Sequence, residues 1–160
     1  MTFLTIKMSP EQRMIDLGIS LPNVPTPIAN FLPFRHDRNQ IFLAGQICEW
    51  NGEVKYRGKL GVDHELQDGQ EAARICALNL LAALRLACDG SLNRVTACLR
   101  VGGFVNCAPD YLHVPQVING ASNLIHALFG DRGLHARTAI GVASLPQGAA
   151  VEVDAIFTID

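Results

Sequence analysis

Residues 67–88, QDGQEAARICALNLLAALRLAC, carry the strongest secondary-structure signal in the chain. Ala72, Ile75, Cys76 and Leu80 recur at helical spacing, and the other apolar residues widen this face until little solvent-facing surface remains. Such a helix needs a broad apolar partner, and the simplest partner is one face of a β-sheet.

Strand signals lie on both sides of this helix. Residues 41–44 are predicted as a strand that follows a turn at 37–40, and Asn51-Gly52 predicts the turn of another short hairpin. Residues 94–106, RVTACLRVGGFVN, are predicted as a strand rich in β-branched residues. The pair Gly102-Gly103 inside it indicates a bulge or a close backbone approach.

The C-terminal third predicts one more helix and two strands. Residues 109–130 indicate a second helix that starts after Pro115 and ends at Gly130. The strands ARTAIGVASL and AAVEVDAIFTI follow, joined by a tight connection. Apolar residues in the last strand alternate with Glu152 and Asp154, which places both acidic side chains on one face.

The predicted element order is roughly ββ(β)αβαββ, which is typical of an α+β fold with a mixed sheet and two helices on one face. A chain of 160 residues has the length of a single domain, so residues 1–160 are predicted as one domain. Residues 1–20 form an N-terminal extension, where Ser9 and the following Pro-Glu predict the start of a short helix.

Composition narrows the function classes. The formal net charge is −2 and the 13 basic residues are scattered, which argues against a nucleic-acid partner or an anionic membrane surface. No apolar run reaches the ~18 residues of a membrane span, and the N-terminus lacks a signal-peptide pattern, so we expect a cytoplasmic protein. Apolar residues make up 49% of the chain, which is more than the interior of a monomer requires. This excess indicates subunit interfaces.

The cysteines do not indicate a metal site or a disulfide framework. Their number is odd and no CxxC pair is present. In apolar surroundings such cysteines usually act as small buried hydrophobes, and this role is expected for all five, Cys48, Cys76, Cys88, Cys98 and Cys107.

Arg137 and Glu152 are the residues of greatest chemical interest. Both lie on the last two predicted strands, so they can address one pocket from different depths or across a subunit boundary. Arginine presents a planar fork that matches a carboxylate, and glutamate can orient or deprotonate water. The alternative is an ordinary salt bridge for each side chain.

The segment ARTAIGVASLPQGAAVEVDAI, residues 136–156, closely resembles the signature of the RidA/YjgF family of enamine/imine deaminases. That signature runs from AR through apolar positions to LP and then VE(V/I)(E/D)A, and the separation of 15 residues between Arg137 and Glu152 agrees with it. FLAGQI, residues 42–47, is similar to the family's (T/S)SGQ(I/V) strand. The resemblance covers residues ~25 to 160.

The resemblance implies a chorismate-mutase-like α+β subunit, assembled as a homotrimer with ligand clefts between neighbouring subunits. It implies hydrolysis of reactive 2-enamino and 2-imino acids, released by pyridoxal-phosphate dehydratases, to 2-oxo acids and ammonia. The implied partner is a small carboxylate-bearing metabolite, and no metal or organic cofactor is needed.

Roles for individual residues also follow from the resemblance. Arg137 would clamp the substrate carboxylate and Glu152 would hold the attacking water. The backbone around Gly45, next to Ala44, would meet the nitrogen end of the substrate, where glycine permits a close approach.

Three positions depart from the family pattern or match it in two ways. Phe31 stands where many members have a tyrosine, so it can wall the pocket but cannot donate a hydrogen bond. Ala139 stands where cysteine is common. The asparagine of the second helix corresponds to either Asn119 or Asn123.

The departures leave a second function open, and the family resemblance implies a third. The second is a non-catalytic trimer that binds small 2-oxo or amino acids in the same clefts. The third is an endoribonuclease, which the acidic net charge disfavours.

A few other residues are weaker candidates. His135 and His126 can act as acid or base, but a rim or structural role is the more common one. Ser122 is predicted as an ordinary hydroxyl on a helix face, since no nucleophile-elbow pattern surrounds it. Gly102-Gly103 lacks the spacing of a phosphate loop.

Overall fold

The computed structural model describes residues 8–160; residues 1–7 of the predicted N-terminal extension lie outside the described residues. The helices are Pro10–Asp16 (α1), Leu66–Ala87 (α2) and Val114–Phe129 (α3). The strands are Phe34–Asp37 (β1), Gln40–Ile47 (β2), Glu49–Trp50 (β3), Glu53–Val54 (β4), Val95–Asn106 (β5), Ala136–Val142 (β6) and Val151–Ile159 (β7).

Helix α2 confirms the prediction for residues 67–88. Glu65 and Asp68 form a capping box at its start, which satisfies free backbone N–H groups of the first turn. Most of its residues are buried, and it packs against β2 and β7 on one face of the sheet. The nearly all-apolar sequence of this helix is therefore explained by its place between the sheet and α3.

The main sheet has the strand order β1-β2-β7-β5-β6. All neighbouring pairs are antiparallel except β5 and β6, which are parallel and joined by α3 as a crossover helix. The predicted mixed α+β fold is confirmed. The sheet was expected to carry two helices on one face, but three α-helices pack together within residues 8–160, because the predicted short helix α1 packs against α3.

The prediction of a tight connection between neighbouring last strands is wrong. Strand β5 lies between β6 and β7 and pairs with both. Residues 143–150 therefore cross the end of β5 instead of turning within a hairpin. The physical reason is that β5 has two hydrogen-bonding edges and its buried apolar residues favour a central position, a non-local choice that local turn signals do not report.

Gly102 and Gly103 mark a close approach, and the bulges of β5 lie elsewhere, between Val95 and Arg100. A Cβ atom at Gly103 would overlap Ile118 of α3, and one at Gly102 would overlap the Asp154 carboxylate. Glycine at both positions thus lets a helix and an acidic side chain pack directly on the strand.

Helix α1 anchors the described part of the N-terminal extension. Ser9 caps it, and Glu11 binds Arg85 of α2 at 3.1 Å and accepts the Leu92 backbone N–H at 2.8 Å. These contacts place α1 on the helical side of the sheet.

Three further predictions can be compared with residues 8–160. Four of the five cysteines are buried, Cys107 is partly buried, and all are free. None of the described helices has the length and apolar composition that crossing a membrane requires. Within the same residues, no three His, Cys, Asp or Glu side chains are grouped as metal ligands.

Candidate functional site

Glu152 faces a cavity of about 560 Å³ beside the C-terminal half of β2. One wall is the proline-rich segment 23–33, and the others are residues 45–47, the β3–β4 hairpin and the turn at 146–147. Phe31 and Gly45 both line this cavity, so the structure brings three of the predicted site residues together.

The Glu152 carboxylate has no hydrogen-bond donor among residues 8–160, although the residue is only partly exposed. Burial raises the pKa of Glu152 above its ordinary value, and the nearby Asp154 carboxylate adds to this effect. A carboxyl group of this kind can exchange a proton with bound water closer to neutral pH than an exposed glutamate can.

Gly45 provides the space for the Glu152 side chain. A Cβ atom at position 45 would overlap the Glu152 oxygen Oε1. The backbone of β2 is also irregular here, because the register with β7 shifts between Leu43 and Gln46. A glycine at this irregularity therefore lets the carboxylate lie directly against the main chain.

Phe31 separates this cavity from a second one of about 750 Å³, which Ala44 lines. The Phe31 ring is 52% exposed, so it forms part of the rim of both cavities. Ala44 and Gly45 are thus adjacent in sequence but line different cavities.

Arg137 lies in a separate polar cluster where the edge strand β6 meets α3. Its Nη1 donates to Asn119 Oδ1 at 2.8 Å and to Ser122 Oγ at 3.2 Å, and its Nη2 donates to the Pro115 carbonyl at 3.2 Å. No carboxylate lies within ion-pair distance of this guanidinium among the described residues. Arg137 is therefore held by neutral acceptors and keeps its positive charge uncompensated.

The bonding pattern of Arg137 leaves part of its fork open. The guanidinium group has five N–H groups. The three contacts use both hydrogens of Nη1 and one hydrogen of Nη2. Nε and the second Nη2 hydrogen have no acceptor within residues 8–160. Two N–H groups on adjacent nitrogens are the donor set that binds a carboxylate through both oxygens.

Ser122 and His135 extend the Arg137 cluster. His135 Nε2 lies 3.0 Å from Ser122 Oγ, and His135 Nδ1 lies 2.6 Å from the Gly133 carbonyl oxygen. Burial lowers the pKa of His135; the Gly133 bond opposes this change and the Arg137 charge adds to it. Neutral histidine is therefore favoured at this position.

Arg137 and Glu152 do not share a site within one subunit. Arg137 pairs with Val101 and Val101 with Ala155, three residues from Glu152, and an odd offset along a strand places side chains on opposite faces. Two strand spacings and three residues separate their Cα atoms by about 14 Å. This excludes a common pocket in one copy and leaves the arrangement across a subunit boundary.

The structure distinguishes the two candidate asparagines. Asn119 contacts Arg137, whereas Asn123 is exposed and lines a groove between α2, α3 and the residues that follow α1. Ala139 lies on the same strand as Arg137 and packs against the core. His126 bonds only to the Gly130 carbonyl at the end of its own helix.

Sequence reasoning did not connect Ser122 and His135 with Arg137. A signal was present, because Pro115, Asn119 and Ser122 follow the i, i+4, i+7 spacing of one helix face. What the spacing cannot report is that this face meets the edge strand that carries Arg137.

Comparisons with known proteins agree with this architecture. Residues 11–156 match the family described as "YjgF/chorismate mutase-like, putative endoribonuclease". The protein TCP17 of Trypanosoma cruzi is 39% identical over 145 residues, which is 90% of each chain.

Two solved structures are similar over nearly the whole chain. The Agrobacterium tumefaciens protein Atu1372, whose function is unknown, is 40% identical with a TM-score of 0.88, over 94% of this chain and 92% of its own. A putative endoribonuclease of Shewanella oneidensis is 30% identical with a TM-score of 0.91, over 95% and 100%. The chain therefore belongs to the YjgF/chorismate mutase-like family, the RidA/YjgF family that its C-terminal sequence resembles.

Proposed function

We propose that this protein is a hydrolytic deaminase of 2-imino and 2-enamino acids. An enamino acid first tautomerises to the imine. Water then adds to C2, and the nitrogen leaves as ammonia when C2 becomes the carbonyl carbon of a 2-oxo acid. Bonds and protons balance with one water consumed, so the reaction needs no redox partner.

The observation that carries this proposal is the pair of uncompensated charges. Arg137 is a positioned cation without a carboxylate partner, and Glu152 is a partly buried carboxylate without a donor, within residues 8–160. The substrate supplies the complement of both, because it has a carboxylate at one end and a protonated nitrogen at the other. Arg137 would bind the first, and Glu152 would orient water and accept its proton near C2.

Because the two side chains lie on opposite faces of one sheet, we propose that the site forms between copies of the chain. None of the described helices covers the side of the sheet that carries Glu152, and Phe42 and Ile140 on this side are 41% and 45% exposed. Apolar residues of this kind are usual at subunit interfaces. A homotrimer in which each copy contributes Arg137 to the site of the next copy would contain three equal sites. We also propose that the reaction takes place in the cytoplasm.

The Glu152 cavity favours a small ligand with a cationic end over RNA. Its described lining contains Glu49 and Glu152 and no lysine or arginine. Two carboxylates would repel a phosphate backbone, on which RNA binding depends.

A non-catalytic trimer that binds 2-oxo or amino acids is the second candidate. Phe31 and Ala139 favour it, because neither offers a hydroxyl or thiol to the ligand while the Arg137 cluster is complete. Ligand binding raises the melting temperature in either case, so thermal stabilisation does not separate the two functions.

Ammonia release tests the proposal. A pyridoxal-phosphate dehydratase generates 2-aminoacrylate or 2-iminobutanoate in situ, and the release of ammonia and 2-oxo acid is followed with and without the protein. We expect faster release with wild type and the uncatalysed rate with Arg137→Ala. Lys55→Ala, which removes an exposed cation paired with Glu53, is the matched control.

Either result is informative. Acceleration by the wild type and by Lys55→Ala, but not by Arg137→Ala, supports the deaminase. The binding trimer is supported instead if all three proteins show only the uncatalysed rate with several substrates that differ in side chain, and if the wild type binds pyruvate saturably.

A further inference from the structure

The hydrogen bonds around Ser122 have directions that chemistry alone fixes. A carbonyl oxygen only accepts, so His135 Nδ1 carries the hydrogen that binds the Gly133 oxygen. In neutral histidine Nε2 is then an acceptor, and the Ser122 hydroxyl must donate to it. The lone pairs of Ser122 Oγ are left to receive the N–H of Arg137 Nη1.

The result is one continuous relay, Arg137 to Ser122 to His135 to the Gly133 carbonyl. Each member determines the hydrogen position of the next, and the Gly133 end is fixed by buried backbone. Without His135 as acceptor, the Ser122 hydroxyl could rotate its hydrogen toward Arg137, and a donor would then face a donor.

We propose that Ser122 and His135 are positioning residues, which hold the Arg137 guanidinium with its Nε–Nη2 edge free for the substrate carboxylate. The identity of that substrate rests on the proposed function. The two residues act on the affinity for a carboxylate and not on the chemical step. They lie in the cluster behind Arg137, whereas Glu152 lies on the opposite face of the sheet.

A catalytic Ser-His pair is the competing interpretation, because the 3.0 Å contact alone would permit it. The Arg137 contact argues against it. A cation that donates to Ser122 Oγ withdraws electron density from that oxygen and occupies the lone pair that a nucleophile needs. Ser122 also lies in the middle of α3, on the face that β6 covers.

Two pairs of variants separate positioning from packing. Ser122→Ala removes the hydroxyl and Ser122→Thr keeps it; His135→Phe removes the acceptor and His135→Gln places an amide oxygen near the Nε2 position without a titrating group. The equivalent His126→Phe on the same helix is the control, since His126 is outside the relay.

The readouts are KM and kcat for ammonia release and the Kd of pyruvate by calorimetry. Removal of either relay group should raise KM and Kd about tenfold and change kcat less than twofold, because uniform binding is lost. Ser122→Thr and His135→Gln should lie within about threefold of wild type. A selective fall in kcat, or unchanged Kd values for Ser122→Ala and His135→Phe in folded proteins, would overturn the proposal.

Nitrogen NMR of the histidine rings tests the relay without any ligand. The expected His135 tautomer carries its hydrogen on Nδ1, and an Nε2–H tautomer would contradict the relay even in an active enzyme. If wild type releases no ammonia but its Kd for pyruvate weakens in Ser122→Ala, the deaminase fails and the positioning role stands. If the wild type neither releases ammonia nor binds pyruvate, both fail.

Discussion

The Arg137 cluster and the Glu152 cavity solve the placement of a charge in opposite ways. Arg137 has three neutral acceptors and a relay behind it, so its orientation is fixed before any ligand arrives. Glu152 has no donor in the part of the chain that the structure describes, and both burial and a like charge disfavour its ionised form. One region is organised in advance, and the other is a destabilised group that a ligand or water can relieve.

The contrast indicates where binding and chemistry are divided. A fixed cation provides orientation and affinity, while a carboxylate with a raised pKa is suited to proton transfer. The two regions face opposite sides of one sheet, so only a second copy of the chain can bring them together.

The largest expected effect comes from breaking each region separately and then mixing the products. Arg137→Ala and Glu152→Gln should each lower ammonia release at least 100-fold, because each removes a main electrostatic contribution. When the two inactive proteins are co-expressed in equal amounts, about a quarter of the sites in a ring of shared sites pair an intact Arg137 with an intact Glu152. Activity near that fraction of wild type is expected.

Co-expression of two copies of the same variant provides the control for this experiment. Co-expressed Arg137→Ala and Glu152→Gln proteins with no more activity than either variant alone would contradict the shared site.

A smaller effect is expected from Gly45→Ala. The new Cβ overlaps Glu152 Oε1, and the flexible carboxylate moves while the backbone remains allowed for alanine. Ammonia release should fall about tenfold with KM nearly unchanged, since the substitution moves Glu152 and leaves the Arg137 carboxylate site intact. In the Glu152→Gln background, Gly45→Ala should have no further effect on kcat; additive losses would mean that Gly45 acts on something other than Glu152.

Stability should change in opposite directions at two neighbouring acidic residues. The folded state raises the pKa of Glu152, so it binds a proton more strongly than the unfolded state does, and stability falls as pH rises from 4.5 through the raised pKa of the folded state. Glu152→Gln should therefore raise the melting temperature by a few degrees at pH 7. The gain should disappear in acid.

Asp154→Asn is the matched comparison on the same face of β7. Asp154 forms an ion pair with Arg100 at 2.9 Å, and both side chains are partly exposed. Loss of this ion pair should lower the free energy of unfolding by about 0.5–1 kcal/mol. Thermal melts of both variants between pH 4 and 8 measure whether the two substitutions change stability in opposite directions. A loss of stability in Glu152→Gln at pH 7 would contradict a raised pKa for Glu152 in the assembled protein.

The smallest effect concerns His135. Burial lowers its pKa in the folded state, so the unfolded state binds the proton more strongly and stability falls as pH drops below about 6.5. His135→Gln should remove this part of the pH dependence, whereas the exposed His126→Gln should leave it in place. Identical pH profiles for wild type and His135→Gln would contradict a depressed pKa at this position.

Local sequence was sufficient for most elements of the fold. The capping signal at Ser9, the apolar periodicity of residues 67–88 and the turn at Asn51-Gly52 act within a few residues, so their helices and hairpin could be predicted. The alternation in β7 also predicted which face carries Glu152, because side-chain direction along a strand has a period of two.

The order of the strands could not be predicted in the same way. Whether β7 pairs with β6 or with β5 depends on which pairing buries more apolar surface across the whole sheet, and residues 143–150 are compatible with both. Of the two alternatives for Arg137 and Glu152, one pocket within a single copy is therefore wrong, and the arrangement across a subunit boundary stays a prediction.

By itself the sequence determined the α+β class, the faces of the strands and helices and the candidate charges, because these follow from short-range periodicity and residue chemistry. Only the tertiary structure decided that β5 separates the two charges, that Ser122 and His135 lie behind Arg137, and that Glu152 lacks a donor among residues 8–160. Those properties depend on which distant segments meet, and no local pattern in the chain contains that information.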